Sequence, residues 1–189
     1  MVEVYLLRHG IAEEVGPSGR DADRALTAEG RNKLRQVLRR VRKAGVKPDL
    51  VLSSPYKRAV ATAELAVQML GCPDGVIETG VLTPGSRPEQ VWAEIRAHKQ
   101  ARCIVLAGHE PLFSHLAAYL LDSPSLNVDF KKGAMMRIDF EATGAAPRGV
   151  LKWFITAATA AASKETGFRL VIKRGDEPER GDVPARSCQ

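Results

Sequence analysis

The chain has 189 residues, of which 44% are hydrophobic and 26% are charged, and its formal net charge is +6. This length and composition fit one globular domain, or one domain with a tail, and they exclude a disordered chain, a collagen-like repeat and a disulfide scaffold. The apolar runs are far shorter than the roughly 18 residues that a membrane span requires, so we expect no membrane partner.

The first half of the chain alternates apolar strands with amphipathic helices. Thr27 is placed to cap the first helix, in which Leu34, Leu38 and Val41 recur at helical spacing. Gly71 ends the second helix, which starts at a Ser-Pro pair. In chain order we predict a strand at 2–7, a helix at 27–44, a strand at 49–53 and a helix at 54–70.

The second half continues this alternation and then adds segments that look antiparallel. We predict a short strand at 76–77, a helix at 88–98, a strand at 103–107, a helix at 112–120, and strands at 134–140, 150–156 and 168–172. The order of elements predicts an α/β fold, a three-layer sandwich in which helices flank a mostly parallel central sheet. We place the domain at residues 1–172 and a flexible polar tail at residues 173–189.

The basic charge is concentrated in one segment. Residues 31–47 hold eight Lys or Arg and no acid, whereas the rest of the chain has a net charge of −2. The segment is either a solvated helix face or a docking surface for an acidic partner. We expect no nucleic-acid partner, because the sequence has no recognised nucleic-acid motif and only 5% aromatic residues for base stacking.

The three cysteines favour a reducing compartment. Cys72, Cys103 and Cys188 are widely spaced and odd in number, so they fit no closed disulfide framework, and Cys103 lies in an apolar run typical of the core. The N-terminal stretch has an early acid and a short apolar run, which does not fit a secretory signal. We therefore expect a cytoplasmic protein.

Polar side chains follow each of the first three strands where the strand ends. Arg8 and His9 follow the first, Arg58 comes one helical turn after the second, and His109 and Glu110 follow the third. Because open α/β sheets bind ligands beyond the carboxyl ends of their strands, we expect these residues to converge. Arginine forks match phosphate oxygens, helix N-termini add backbone donors, and a neutral imidazole is a competent nucleophile toward phosphorus.

A metal site is the rival interpretation of the two histidines. No carboxylate or cysteine lies at the spacing of an HExxH motif, and two nearby arginines would repel a cation. We therefore expect no metal and no cofactor. Either histidine taken alone would more often be a structural, hydrogen-bonded residue. Their joint occurrence with the arginines at successive strand ends is what indicates a catalytic site.

Four motifs resemble those of the histidine phosphatase (phosphoglycerate-mutase-like) superfamily, and they occur in the right order. The resemblance covers about residues 1–156. The matching segments are LRHG at 7–10, which resembles the RHG signature; RALTAEG at 24–30, similar to the turn into the first helix; SSPYKRAVATA at 53–63, similar to SSPxxRAxxTA; and GHEP at 108–111, similar to the second-histidine motif.

Within this superfamily the chain resembles the small SixA-type phosphohistidine phosphatases. The run GHEPLFSHL at 108–116 and the turn LTPG at 82–85 are similar to segments of that subfamily. The stretch between Glu64 and Gly108 is too short for the cap that mutases and many small-molecule phosphatases insert there. The resemblance thus implies a shallow, open pocket that favours a phosphorylated side chain on a protein.

The resemblance also implies a role for each polar residue at the strand ends. His9 would attack the phosphorus and form a phosphohistidine intermediate, which water then hydrolyses. Arg8, Arg58 and His109, together with Gly10, would bind the phosphoryl oxygens and stabilise the charge of the transition state. We expect phosphate or sulfate to occupy such a site.

The proton donor for the leaving group is not where many relatives have one, because this chain has Val81 in that region. Glu78 and Glu110 are the nearest acids, and we take Glu110 as the candidate since an acid follows the second histidine in another branch of the superfamily. Its alternative role is to complement the dipole of the following helix. A protonated phosphohistidine releases neutral imidazole, which needs less help from an acid than an alkoxide does, so a weak donor fits a P–N substrate.

These observations predict a metal-independent phosphohydrolase that removes phosphate from phosphohistidine on a protein, such as a phosphotransfer domain in signal transduction. The alternatives are a general phosphomonoesterase of the same fold that acts on small phosphate esters, and a non-catalytic phosphoprotein-binding module. A phosphoglycerate mutase fits less well because the chain is short and lacks the cap. Arg24 either reaches the pocket rim or is a surface charge.

Overall fold

A six-stranded sheet forms the centre of the computed structural model, which describes residues 1–162. The strands lie in the order β3-β2-β4-β1-β5-β6, with β1 to β4 mutually parallel and β5 and β6 each antiparallel to their neighbours. The predicted α/β fold with a mostly parallel sheet is therefore confirmed. The strands are β1 Val2–Arg8, β2 Leu50–Ser53, β3 Ile77–Glu78, β4 Cys103–Gly108, β5 Met135–Phe140 and β6 Val150–Ile155.

Helices cover both faces of the sheet, which gives three layers. Val4 and Leu6 of β1 pack with the helices of one face, whereas Tyr5 and Leu7 pack with the helices of the other. A strand buried on both faces has no polar side to alternate with, which explains why residues 4–7 of β1 are a continuous apolar run in the sequence. The helices are α1 Ala28–Lys43, α2 Lys57–Leu70, α3 Pro88–Ala97, α4 Leu112–Leu120 and α5 Ala157–Ala162, with short 3₁₀ turns at Asp21–Asp23 and Gly80–Leu82.

Helix α1 begins as its sequence predicts. The Thr27 hydroxyl accepts a hydrogen bond from the Gly30 backbone N–H at 3.0 Å, so it caps the helix, and such a cap contributes about 1 kcal/mol of stability. The apolar residues at helical spacing, Leu34, Leu38 and Val41 among them, are buried against the sheet. The helix ends where Gly45 adopts a positive φ of 84°.

Helix α2 begins three residues later than the Ser-Pro pair predicts. The Ser54 backbone N–H donates to the Ala107 carbonyl at 3.0 Å, so the chain still pairs with the sheet at that point and is extended. Tyr56 is also extended, and the first helical residue is Lys57.

The register of the central strands aligns their carboxyl ends. Arg8 of β1 lies opposite Gly108 of β4, and Ser53 of β2 lies opposite Ala107 of β4. His9, Ser54 and the residue after Gly108 therefore leave the sheet at the same edge, as predicted from the three strand ends.

The predicted strand at 168–172 and the tail at 173–189 lie outside the described residues. Within residues 1–162, no helix is both long enough and apolar enough to cross a membrane. Cys72 and Cys103 are free and buried, and burial raises the pKa of the Cys103 thiol to about 12, as suits the predicted core residue.

Candidate active site

His9 and His109 meet at the carboxyl edge of the sheet, with ring centroids 5.0 Å apart. His9 directly follows β1, and its backbone N–H donates to the Gly108 carbonyl at 3.0 Å, which ties it to the end of β4. His109 follows β4, and both side chains are buried. The two strand ends thus hold two imidazoles beside each other in a site largely withdrawn from water.

The hydrogen bonds of His9 define its tautomer. Its Nδ1 lies 2.7 Å from the Gly10 carbonyl oxygen, which can only accept, so Nδ1 carries the proton. Its Nε2 accepts from Arg58 Nε at 3.2 Å and therefore has the lone pair. Burial, reinforced by Arg58 and Arg8, lowers the pKa of His9 to about 4. At neutral pH the ring is uncharged, with the nucleophilic nitrogen turned toward the cations.

Gly10 supports His9 through its carbonyl and faces α2 with its amide. Its N–H donates to Thr62 Oγ1 at 3.2 Å, and the Thr62 hydroxyl in turn donates to the Arg58 carbonyl at 2.7 Å. A Cβ at position 10 would clash with Leu34, which requires a glycine here. The Gly10 amide is thus already bonded to α2 and not directed at the other site residues.

Arg58 uses all three nitrogens of its guanidinium. While Nε donates to His9, Nη1 donates to the backbone carbonyl of Asp21 at 2.6 Å, and Nη2 donates to Asp21 Oδ2 at 2.8 Å. The guanidinium carbon lies 5.1 Å from the centre of the Tyr56 ring. Asp21 was not among the residues expected from the sequence, and nothing there distinguishes it from the other acids of the polar stretch between β1 and α1.

Ser54 defines the tautomer of His109. Its Oγ lies 2.8 Å from His109 Nε2 and accepts from the Tyr56 backbone N–H at 3.4 Å. Among the described residues Nε2 is the acceptor within reach of the hydroxyl proton, so we assign that proton to the bond with Nε2. His109 Nδ1 therefore carries the other proton and is buried without a partner. Burial, and next the neighbouring His9, lowers the pKa of His109 to about 3, so the ring is a neutral hydrogen-bond donor. Ser54 thus orients the site and does not cap α2.

Arg8 reaches the site from the last residue of β1. Its Nη1 donates to the Phe130 carbonyl, whereas its Nε is buried without a hydrogen-bond partner. Burial lowers the pKa of Arg8 and the Glu110 carboxylate opposes that shift, but a guanidinium retains its proton in proteins. Arg8 therefore supplies a fixed positive charge with a free donor.

Glu110 lies at the start of α4 with its two carboxyl oxygens in different surroundings. Oε2 accepts from the Ser114 hydroxyl at 2.7 Å, whereas Oε1 is buried and unpartnered. Glu78, the other predicted candidate, is exposed on β3 and has no described hydrogen bond or ion pair to the site. Val81 packs against the core.

Within residues 1–162, the buried side-chain nitrogens and oxygens that lack a hydrogen-bond partner are Arg8 Nε, His109 Nδ1 and Glu110 Oε1. All three belong to this one cluster, although native proteins pair nearly all buried polar atoms. Two of them are donors that a tetrahedral oxyanion would satisfy, and the third is a carboxyl oxygen able to exchange a proton.

Arg24 joins the site indirectly. Its Nη1 pairs with Asp21 Oδ1 at 2.8 Å, and its Nε donates to the Glu13 carbonyl at 2.5 Å. Arg24 is half-buried and shares the Asp21 carboxylate with Arg58. The sequence left open whether Arg24 reaches the pocket rim or is a surface charge, and the structure places it at the rim.

The basic residues in the last turns of the segment at 31–47 lie at the end of α1 away from these residues. A groove of about 680 Å³ separates its last turns from Met69 of α2 and from α5. Arg40 lies roughly 15 Å along the α1 axis from Gly30, the residue of α1 that abuts the loop after β1. Docking of an acidic partner on this surface stays a prediction. The basic residues that line the groove are Arg39, Arg40, Arg42 and Lys43.

The fold and this cluster define an α/β protein with two buried histidines and two arginines at the carboxyl edge of its sheet, and comparison with known proteins names the class. The family model of the histidine phosphatase superfamily (branch 1) matches residues 4–79. An uncharacterized protein of Picosynechococcus sp. is 35% identical over 112 residues, which are 58% of this chain and 67% of that protein. The chain belongs to the histidine phosphatase superfamily, and this membership supports phosphatase activity.

Solved structures share the fold. The protein histidine phosphatase SixA complexed with tungstate has a TM-score of 0.72 at 24% identity, over 83% of this chain and 98% of that one. A mutant phosphoserine phosphatase of Entamoeba histolytica in complex with phosphoserine has a TM-score of 0.64 at 15% identity, over 84% and 99%. The alpha-ribazole phosphatase of Shigella flexneri has a TM-score of 0.64 at 18% identity, over 82% and 97%.

Proposed function

We propose that this protein is a metal-independent phosphatase that uses His9 as its nucleophile and removes phosphate from phosphohistidine on a protein. The observation that carries the proposal is the state of His9: a neutral ring, its proton on Nδ1 held by the Gly10 carbonyl, and its Nε2 lone pair 3.2 Å from the Arg58 guanidinium. A nucleophile in this state needs no base to activate it.

The first step would transfer the phosphoryl group to His9. Arg8 Nε and His109 Nδ1 would donate to its oxygens, where negative charge concentrates in the transition state. The single N–H of Arg58 Nε, which donates to His9 Nε2 in the structure, would donate to a phosphoryl oxygen once phosphorus takes that lone pair. The Nε2 lone pair forms the new P–N bond while the bond from phosphorus to the leaving group breaks. Water then attacks the phosphorus, its proton is lost to solvent or to a nearby base, and His9 is regenerated with phosphate as the product.

Glu110 would supply the proton that the leaving group needs. Glu110 directly follows His109 and interacts electrostatically with Arg8, its Oε1 is buried without a hydrogen bond, and Ser114 holds the other oxygen in place. An alkoxide leaving group depends on that proton, whereas the imidazole of a phosphohistidine leaves as a neutral ring once protonated.

A protein substrate is supported by the absence of a covering domain in the described chain. Between α2 and β4, residues 71–102 contain only β3, a 3₁₀ turn and α3, whose apolar side chains pack into the core. The stretch between α2 and β4 thus holds no inserted cap, which favours a substrate side chain carried by another protein over an enclosed metabolite. The fold likeness to SixA, a protein histidine phosphatase, supports the same substrate class.

A general phosphomonoesterase is the second candidate, and Glu110 is the observation that favours it, because a partly buried acid with one unpartnered oxygen beside the site suits an alkoxide leaving group. With a phosphohistidine substrate we would place the protein in cytoplasmic signal transduction. The free, buried Cys72 and Cys103 are compatible with that compartment.

The test is a substrate panel. The protein is incubated with a phosphohistidine-bearing phosphotransfer domain and with phosphate monoesters, and the ratio of the kcat/KM values is compared. We expect the phosphoprotein to be preferred, and a phosphoenzyme trapped by denaturation at alkaline pH, where the P–N bond is stable, to form with the parent chain but not with His9→Ala. A preference for monoesters would favour the second candidate, and the absence of any phosphoenzyme would leave only a binding module.

A further inference from the structure

Asp21 links two arginines at the rim of the site. Its Oδ2 and its backbone carbonyl both accept from Arg58, at 2.8 and 2.6 Å, and its Oδ1 pairs with Arg24 at 2.8 Å. The Asp21 side chain is 55% exposed, whereas that of Arg58 is only 5% exposed. One acid on a surface 3₁₀ turn therefore supplies the counter-charge for a buried guanidinium.

The direction of these bonds matters for the reaction. Asp21 engages the two terminal nitrogens of Arg58, so the guanidinium plane is fixed and its Nε–H points at His9. A guanidinium is planar and its donors are rigidly spaced, so fixing one edge also fixes the other. Without the Asp21 carboxylate, Nη2 would lose its acceptor, and the backbone carbonyl of residue 21 alone would hold Nη1, so the guanidinium could turn about that one bond.

We propose that Asp21 is a positioning residue for phosphoryl binding, which acts by holding the terminal nitrogens of Arg58 so that the Nε–H is aimed at a phosphoryl oxygen next to His9. This inference rests on the proposed function. Arg24 is the second anchor, because it holds Asp21 from the side opposite Arg58. The hydrogen bond from Arg24, and next that from Arg58, keeps the pKa of Asp21 below its ordinary value, so it is a carboxylate at neutral pH.

Two effects of Asp21 on phosphate binding have opposite signs. As a negative charge near an anion site, it repels phosphate, so its removal alone would tighten binding. As the residue that orients Arg58, it favours binding, so its removal would weaken it. The direction of the change therefore distinguishes a positioning residue from a mere nearby charge.

The experiment compares Asp21→Asn with Asp23→Asn. Asp23 belongs to the same 3₁₀ turn and carries the same charge, but it pairs with Ser18 and Arg20 and has no described bond to Arg58. The dissociation constant of inorganic phosphate is measured by calorimetry, together with kcat and KM for a phosphate ester. We expect Asp21→Asn to weaken phosphate binding about 10-fold and to lower kcat/KM as much, and Asp23→Asn to stay within about 2-fold.

Equal or tighter phosphate binding by Asp21→Asn would overturn the proposal. Asp21→Ser repeats the comparison with a smaller side chain, and unfolding temperatures identify any variant that does not fold. In an Arg58→Met background, Asp21→Asn should change phosphate affinity by less than about 2-fold, and an undiminished effect there would show that Asp21 does not act through Arg58. If the parent binds phosphate but turns over no substrate, the proposed function fails while this comparison still decides the role of Asp21.

Discussion

The Ser54 hydroxyl lies 2.8 Å from Nε2 of His109, and this one hydrogen bond determines which nitrogen of the ring faces the site with a proton. Without it, the neutral ring could carry its proton on Nε2 and present a lone pair, which would repel a phosphoryl oxygen. A serine that performs no chemistry thus decides whether the second histidine is a donor or an acceptor.

Ser54→Ala should therefore impair phosphate binding more than stability. We expect the affinity for inorganic phosphate and the kcat/KM for a phosphate ester to fall about 10-fold, because the donor tautomer of His109 is no longer enforced. Ser53→Ala is the matched control: Ser53 is equally buried and donates only to the Ser54 carbonyl, at 2.9 Å. Equal losses in the two variants would contradict this role of Ser54.

Glu110→Gln should separate the two kinds of leaving group. Since an alkoxide needs a proton as it leaves, we expect kcat for phosphate monoesters to fall about 100-fold, and kcat for a phosphohistidine protein to fall less than about 5-fold. Both rates are measured on the same preparation, with Glu78→Gln as a control that removes an exposed acid outside the site. Equal losses with the two substrates would argue that Glu110 only complements the dipole of α4.

Acidification should destabilise the folded protein in the range where unfolded histidines become charged. The pKa values of His9 and His109 are lowered to about 4 and about 3, so from pH 7 to pH 5 the unfolded chain takes up protons at these residues while the folded chain does not. The free energy of unfolding is thus highest when the pH is above about 6.5, the ordinary pKa of an unfolded histidine. At lower pH it decreases, and at pH 5 the loss is about 2 kcal/mol for each of the two histidines. Urea unfolding at the two pH values measures the loss, and His109→Asn should show a smaller difference than the parent.

Gly30→Ala should damage the junction between α1 and the loop that follows β1. A Cβ at position 30 would overlap the backbone of Ile11, which cannot move aside as a side chain could. We expect a loss of about 2–3 kcal/mol and a fall in Tm of roughly 5–10 °C, seen by calorimetry. Gly85→Ala, at a position with open space around it, should leave Tm unchanged within about 1 °C.

The strand ends could be predicted from the sequence because burial on both faces makes residues 4–7 of β1 and residues 103–107 of β4 apolar runs, and the polar residue that follows each run marks where the strand stops. Arg8, His9 and His109 follow from that pattern alone. Their protonation states could not be predicted, since they depend on contacts between elements. The bond from Ser54 to His109 joins residues 55 positions apart in the chain.

Asp21 was missed for a related reason. The stretch between β1 and α1 carries several acids, and only the folded loop shows which of them meets Arg58 of α2. The start of α2 was also misplaced, because local preference favours a helix from the Ser-Pro pair whereas pairing with Ala107 keeps Ser54 in the sheet. In each case a partner distant in sequence overrides the local signal.

The position of β1 in the sheet has a consequence for the order of synthesis. Its two neighbours are β4 and β5, so Arg8 meets Gly108 and Val2 meets Phe140 only after most of the chain exists. His9, the proposed nucleophile, is synthesised among the first residues but reaches its final surroundings only when these late strands pair with β1. A nascent chain that ends before residue 140 would leave an open strand edge beside His9, exposed to pairing with other chains, so phosphate binding should emerge only when β5 has been added.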